Sequence, residues 1–314
     1  MNYEIRGGRF IVPGHSGEAS FAELMKWQLS GSREKWPRLI ENKVYPPPPK
    51  RVLGRDLKIT WIGHSTVLIQ TSGLNILTDP FFSDRASPFQ FIGPKRIRSP
   101  GISIIDLPPI DLVLLSHNHF DHLDAHALQL LKKHHDPKLI TTLNNGQYIK
   151  NYPCTELDWR QSFEVGEIRI TLMPALHWSK RSFSDTNKAL WGAFVIETKG
   201  GVIYFAADTG YGTGETFREV WSRFGAPRLS LLPIGAYEPR WFMKPQHMNP
   251  EEAVRAHLDL SSKTSFAIHH GTVQLTDETV DAPLVALREA MTKAMISVGD
   301  FLVGDIGETI NISK

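Results

Sequence analysis

From Leu57 onward the chain is written in short apolar runs separated by polar and glycine-containing stretches. Lys58–Ile62, Thr66–Gln70, Asn75–Thr78, Leu112–Leu115 and Leu139–Thr141 are rich in aliphatic and β-branched residues, which predicts strands. The same texture returns at Ile168–Met173, Ala193–Glu197, Val202–Ala206, Leu229–Pro233 and Ser265–Ile268, and near Phe301–Val303 and Thr309–Ile312. Helical spacing of apolar positions lies between these runs, at Asp124–His134, Glu215–Phe224, Pro250–Leu258 and Ala282–Ala294. Asn249 ahead of Pro250 is a helix start, because a side-chain acceptor precedes a residue with no N–H to cap. Strands and helices mixed in this way predict an α/β layered sandwich, with sheets inside and helices outside.

Residues 1–50 have a different character and are expected to form an accessory segment, with the catalytic domain at 51–314. Phe21, Leu24, Met25 and Gln28 are spaced for one helix face, Ser20 is the expected N-cap with Glu23 three residues on, and Gly31 ends the run. Tyr45-Pro46-Pro47-Pro48-Pro49-Lys50 suits a polyproline-like linker, since proline neither donates to a ladder nor continues a helix. The amphipathic face is expected to pack on the main domain, with a lipid or partner contact as the alternative.

Composition narrows the classes. A formal charge of +2 over 314 residues, with no dense Lys/Arg block, gives no electrostatic footprint for nucleic acid. One cysteine, Cys154, excludes an intrachain disulfide framework and a cysteine-rich zinc site. No stretch reaches the roughly 18 apolar residues of a membrane span, and the N-terminus lacks the plan of a secretory signal. A cytoplasmic protein, peripheral at the inner face of the membrane, is the expectation.

The chemistry concentrates in Ser116-His117-Asn118-His119-Phe120-Asp121-His122-Leu123-Asp124, directly after an apolar run. Three imidazoles and a carboxylate in six residues suit a borderline divalent ion such as zinc, or iron or manganese. The pattern H-x-H-x-D-H also offers two pairs of ligands, which suggests two ions. His177, Asp208 and His269 each follow a strand-like run, where a rigid sheet can aim side chains at one point. The seven divide into His117, His119 and His177 for one ion and Asp121, His122 and His269 for the other, with Asp208 between them. Such a division leaves room for the hydroxide that a catalytic site needs, and puts the chemistry on Asp121, His122 and Asp208.

This ligand order resembles that of the metallo-β-lactamase superfamily. The flanking words resemble the N-acylphosphatidylethanolamine-hydrolysing phospholipase D family in particular, as a bacterial relative would. They include Thr60-Trp-Ile-Gly-His-Ser-Thr-Val67, Leu77-Thr-Asp-Pro-Phe81, Arg85-Ala-Ser-Pro88 and Gly93-Pro-Lys-Arg96. His177-Trp178, Lys180-Arg181, Leu190-Trp-Gly192, Asp208-Thr-Gly-Tyr211, Pro233–Lys244 and Ala267-Ile-His269 continue the likeness, which is dense over residues 57–272. The resemblance implies an αββα fold with two mixed β-sheets flanked by helices, a binuclear zinc centre, and hydrolysis of a phospholipid to an N-acylethanolamine and phosphatidic acid. One departure falls inside the cluster, where Phe120 takes the place of a tyrosine.

On this reading a metal-bridging hydroxide attacks phosphorus, and Lys180 is a candidate for a phosphate oxygen. Asp79 and His64, at early strand ends, are candidates to orient ligand imidazoles or to sit beside the site. Phe120 and Tyr211 are candidates for substrate contact, Trp241, Phe242 and Met243 for an acyl pocket, and His270 is expected to be structural. Expected partners are a phospholipid or other phosphodiester, with a homodimer as an open alternative. The competing readings are a lactone or other ester hydrolase on the same scaffold, and a non-catalytic metal-holding lipid-binding protein.

Overall fold

The computed structural model describes residues 1–15, 21–29 and 33–313; the expected Ser20 cap and Gly31 stop lie outside them. A hairpin of β1 (Glu4–Arg6) and β2 (Arg9–Ile11) opens the chain and is followed by α1 (Phe21–Leu29). An extended stretch containing the four prolines leads to β3 (Leu57–Gly63), β4 (Thr66–Thr71), β5 (Leu74–Thr78) and β6 (Leu112–Leu115). Then come α2 (Ala125–His134), β7 (Lys138–Thr142), β8 (Cys154–Leu157), β9 (Ser162–Val165), β10 (Ile168–Met173), β11 (Ala193–Thr198) and β12 (Gly201–Phe205). The remainder is α3 (Glu215–Phe224), β13 (Leu229–Pro233), α4 (Arg240–Met243), α5 (Pro250–Asp259), β14 (Thr264–Ile268), α6 (Ala282–Lys293), β15 (Phe301–Leu302) and β16 (Thr309–Asn311).

The long strands form two seven-stranded sheets, β16-β3-β4-β5-β6-β7-β8 and β15-β14-β13-β12-β11-β10-β9. Each sheet is half antiparallel and half parallel. Strands β3 to β5 pair antiparallel and β5 to β8 parallel. Strands β9 to β12 pair antiparallel and β12 to β15 parallel.

Side-chain alternation sets the layers. Leu112 and Leu114 of β6 meet Ile170, Phe194, Phe205 and Phe266 between the sheets, while Val113 and Leu115 meet Leu128 and Leu131 of α2 outside. On the other face, Tyr204 and Leu232 meet Phe217, Val254 and Leu287 of α3, α5 and α6. Strands buried on both sides need apolar residues at every position, which is why these runs are continuous rather than alternating. The result is the expected αββα four-layer sandwich. The N-terminal hairpin joins it, with Phe10 and Val12 buried between the sheets. Asn249 caps α5 with a full capping box, its side chain accepting from Glu252 N–H while Glu252 reaches back.

Loops that leave the carboxyl ends of parallel strands are where α/β sheets place ligands. Here such loops follow β5, β6, β12, β13 and β14.

Candidate metal centre

The turn after β6 is built to display side chains inward. Asp124 closes it: Oδ1 accepts from His126 and Ala127 N–H at the start of α2, and Oδ2 accepts from Phe82 and Ser83 N–H of the loop after β5. Asp79, at the end of β5, accepts from Ser116 N–H (2.7 Å), from Ser116 Oγ–H (2.6 Å) and from His122 Nδ1–H (2.6 Å). Arg181 braces the turn from outside, its Nη1 donating to Asn118 O and Leu123 O while its guanidinium lies 4.0 Å over the Phe120 ring.

These bonds fix the rings. The Ser116 hydroxyl spends its hydrogen on Asp79, so it must accept from His117 Nδ1–H at 2.8 Å. His177 Nδ1–H donates to Gln246 O at 3.0 Å. As neutral rings, His117, His122 and His177 therefore each carry a bare lone pair on Nε2, and all three face the same interior space. His119 Nδ1 lies 2.9 Å from His117 Nε2 and 3.1 Å from His177 Nε2, which closes a three-nitrogen cluster. Beside it, Asp121 Oδ2 lies 3.4 Å from His122 Nε2 and 3.5 Å from His269 Nε2. Asp208 Oδ2 stands between the groups, 3.1 Å from His122 Nε2, 3.1 Å from His269 Nε2 and 3.8 Å from His177 Nε2.

Electrostatics separates the two halves. Burial holds His117 and His177 well below the usual histidine range and His119 down at about 4. Burial opposes charge on His122 and His269 as well, but carboxylates outweigh it. Asp208 and Asp121 draw His122 far up and His269 to about 9. Burial alone would raise Asp121 and Asp208, yet the neighbouring histidines hold both carboxyls well below their usual range. Two buried carboxylates facing convergent lone pairs need positive charge, supplied by protons or by cations. Asp208 Oδ1, buried with no hydrogen-bond partner, is a further donor atom. The nitrogen and oxygen donors form overlapping groups, one of which includes His64, and fit divalent ions such as zinc, iron or manganese.

All seven residues expected as ligands, His117, His119, Asp121, His122, His177, Asp208 and His269, are thus brought together. Asp79 and His64 join them, His64 through Nε2 at 2.8 Å from Asp121 Oδ2. Lys180 lies alongside, its backbone N–H donating to Asn118 Oδ1. Tyr211 sits elsewhere: its hydroxyl donates to Asp259 at 2.8 Å and its ring stacks on Phe217 of α3, away from the histidines. Phe242 packs on Trp27 of α1 rather than on the centre. His270 lies against the Trp61 ring at a tilt, with centroids 4.7 Å apart.

His247 was not expected. It shares a donor group with His177 and Asp208, with ring centroids 5.1 Å from His177 and 5.6 Å from His269. Burial drives it down to about 3, and its Nδ1 has no partner. Arg240 Nη1 holds its carbonyl and its N–H donates to Met243 O, so the short α4 aims it. The available signal was its place in the loop after β13, obscured by the distance along the chain from that strand.

Comparison with known proteins agrees with this geometry. Residues 74–270 match the beta-lactamase superfamily domain. The chain is 38% identical over 264 residues to N-acyl-phosphatidylethanolamine-hydrolyzing phospholipase D 1 of Caenorhabditis elegans, covering 79% of this chain and 74% of that protein. It is 36% identical over 294 residues to a Mycobacterium tuberculosis protein, covering 90% of this chain and 76% of that one. Among solved structures, an isothiocyanate hydrolase from Delia radicum gut bacteria superposes with a TM-score of 0.64 at 22% identity, over 81% of this chain and 98% of that one. The protein is a metal-dependent hydrolase of the metallo-β-lactamase superfamily. Within that superfamily, the chain belongs to the N-acylphosphatidylethanolamine-hydrolysing phospholipase D family.

Proposed function

We propose that the protein is a two-metal phosphodiesterase of phospholipase D type, cleaving N-acylphosphatidylethanolamine-like lipids to N-acylethanolamine and phosphatidic acid. The observation that carries the metal count is the pair of donor groups sharing Asp208 Oδ2. His117, His119 and His177 would hold one ion and Asp121, His122 and His269 the other. Two bound zinc ions would neutralise phosphate charge and lower the pKa of a shared water. Asp79 and Ser116 keep the tautomers of His117 and His122, and Asp208 would be shared between the two ions. His247, kept neutral by burial, adds an imidazole beside His177 and Asp208.

The choice of a lipid rests on the family and on the exposed surface of two loops beside the centre. Phe89, Phe91 and Ile92 stand out on the loop after β5, and Phe183 on the loop after His177. Arg85 and Lys95 lie in the first of these loops. Aromatic and aliphatic side chains interleaved with cations suit an anionic lipid surface, and we assign this rim to peripheral bilayer contact. Among the described residues no helix is long and apolar enough to cross a membrane. Phe91→Glu is expected to weaken sedimentation with phosphatidylserine-containing vesicles while leaving metal content intact; unchanged sedimentation would remove the rim from the lipid contact.

The reaction itself is tested by metal analysis joined to product analysis. N-acylated phosphatidylethanolamine, a soluble phosphodiester and a lactone are supplied to metal-loaded and chelated enzyme. Metal-dependent release of phosphatidic acid and N-acylethanolamine is expected. Hydrolysis confined to the lactone would overturn the proposed reaction.

A further inference from the structure

His64 comes from none of the three loops that carry the candidate histidine ligands; it sits at the turn between β3 and β4 of the first sheet. It is buried, with φ of 56°, in the left-handed region that side-chain-bearing residues seldom adopt. Its ring and its carbonyl both grip the candidate centre. The ring nitrogen Nε2 lies 2.8 Å from Asp121 Oδ2. The carbonyl accepts from His269 N–H at 3.0 Å, and from Trp61 Nε1–H at 2.8 Å. The ring centroid lies 4.0 Å from that of His269. Its own N–H donates to Thr272 Oγ1 at 3.0 Å, which ties the turn to the loop beyond β14.

A carboxylate only accepts, so Nε2 of His64 must carry the proton in this contact. Nδ1 is then bare, buried and without a partner. The nitrogen facing the centre is thereby committed as a donor to Asp121 and cannot also be a ligand through the same lone pair. We infer that His64 is a positioning residue for one ion of the pair. It orients Asp121 through its side chain and fixes His269 through its backbone. This rests on the two-ion reading above. The other ion's nitrogens take their orientation from elsewhere: His117 from Ser116 and His177 from Gln246 O. Loss of the His64 ring should therefore strip the centre unevenly.

The test is metal stoichiometry and affinity, read by elemental analysis and by competition with a chromophoric chelator, using zinc. His64→Asn keeps a residue that tolerates the left-handed backbone while withdrawing the Nε2 donor. His64→Gln keeps an N–H at similar reach. Wild type is expected to bind two equivalents. His64→Asn should hold the first with unchanged affinity and bind the second about 10–100-fold more weakly, the range for loss of a ligand-orienting partner. His64→Gln should recover most of the second. Two equivalents with unchanged affinities in His64→Asn would overturn the inference while leaving the two-ion reading intact. A wild type that binds a single ion would overturn that reading, and the inference with it. Nitrogen-15 spectra of histidine in the zinc-loaded wild type give a check independent of variant folding. A neutral His64 protonated at Nε2 and free of metal is expected, whereas coupling of either His64 nitrogen to substituted cadmium-113 would make it a ligand and overturn the positioning role.

Discussion

Asp79 shows how much one carboxylate decides. It accepts three hydrogen bonds, from Ser116 N–H, Ser116 Oγ–H and His122 Nδ1–H, and through Ser116 it also sets the tautomer of His117. One residue therefore aims a lone pair into each half of the centre. In Asp79→Asn the amide nitrogen would face one of these donors, and a ring would have to turn or change tautomer to relieve the clash. The expected outcome is a drop in zinc affinity of about 10–100-fold, with a loss of roughly 1–3 kcal/mol of stability in the chelated protein from the mispaired buried donor. Competition titration against a chelator measures the first and thermal unfolding the second. Unlike His64→Asn, this variant should weaken both equivalents, because on the proposed two-ion reading His117 and His122 would serve different ions. Affinity lost from one equivalent alone would show that Ser116 holds His117 unaided.

At the scale of elements, the turn after β6 depends on its exit as much as on its histidines. Asp124 caps α2 and simultaneously binds Phe82 and Ser83 N–H. Asp124→Ala removes a cap and leaves loop N–H groups short of an acceptor. From the typical cost of a lost cap and of unpaired buried donors, roughly 2–4 kcal/mol of stability should go. Denaturant unfolding reads the total. Hydrogen exchange should place the faster opening in residues 79–83 and the first turn of α2. The same scale shows what was legible beforehand. The buried strands and four main helices were readable because burial on both faces demands continuous apolar runs. The edge strands β8 and β9 were not, because Cys154-Thr-Glu-Leu157 and Ser162-Phe-Glu-Val165 are partly exposed and carry polar residues. The β1–β2 hairpin is signalled only by Gly7-Gly8 between two runs too short to stand out as strands. Candidate ligands that follow strands directly are legible in the sequence, and the structure brings them together. His247, aimed by a four-residue helix and an arginine held by Glu252, depends on tertiary contacts that no local pattern carries. Tyr211 misled for the converse reason: nearness to Asp208 along the chain does not survive the turn that hands it to Asp259.

For the whole molecule, the centre is a junction between the two sheets. The first sheet supplies His64, Asp79 and the 117–122 turn, and the second supplies His177, Asp208 and His269. Cations bound there would cross-link the layers, and binding to the folded state alone adds about 4 kcal/mol at a free concentration a thousandfold above Kd. Chelation is therefore expected to lower the unfolding temperature, and zinc to restore it. The chelated protein should also depend on pH in a way the loaded one does not. Without cations, the charge of Asp121 and Asp208 is balanced by protons on His122 and His269, and His269 is drawn to about 9 against an unfolded value of 6.5. A group raised on folding contributes fully below its unfolded pKa and loses that contribution as pH rises through its folded one. The chelated protein should thus lose stability between about pH 6.5 and 9, on the order of 3 kcal/mol for a shift of this size. As ligands in the loaded protein these imidazoles would be neutral, and stability over the same interval should be nearly flat. Thermal unfolding of both forms across that interval decides it: parallel profiles would mean that the carboxylates are not balanced by histidine protons when the ions are gone.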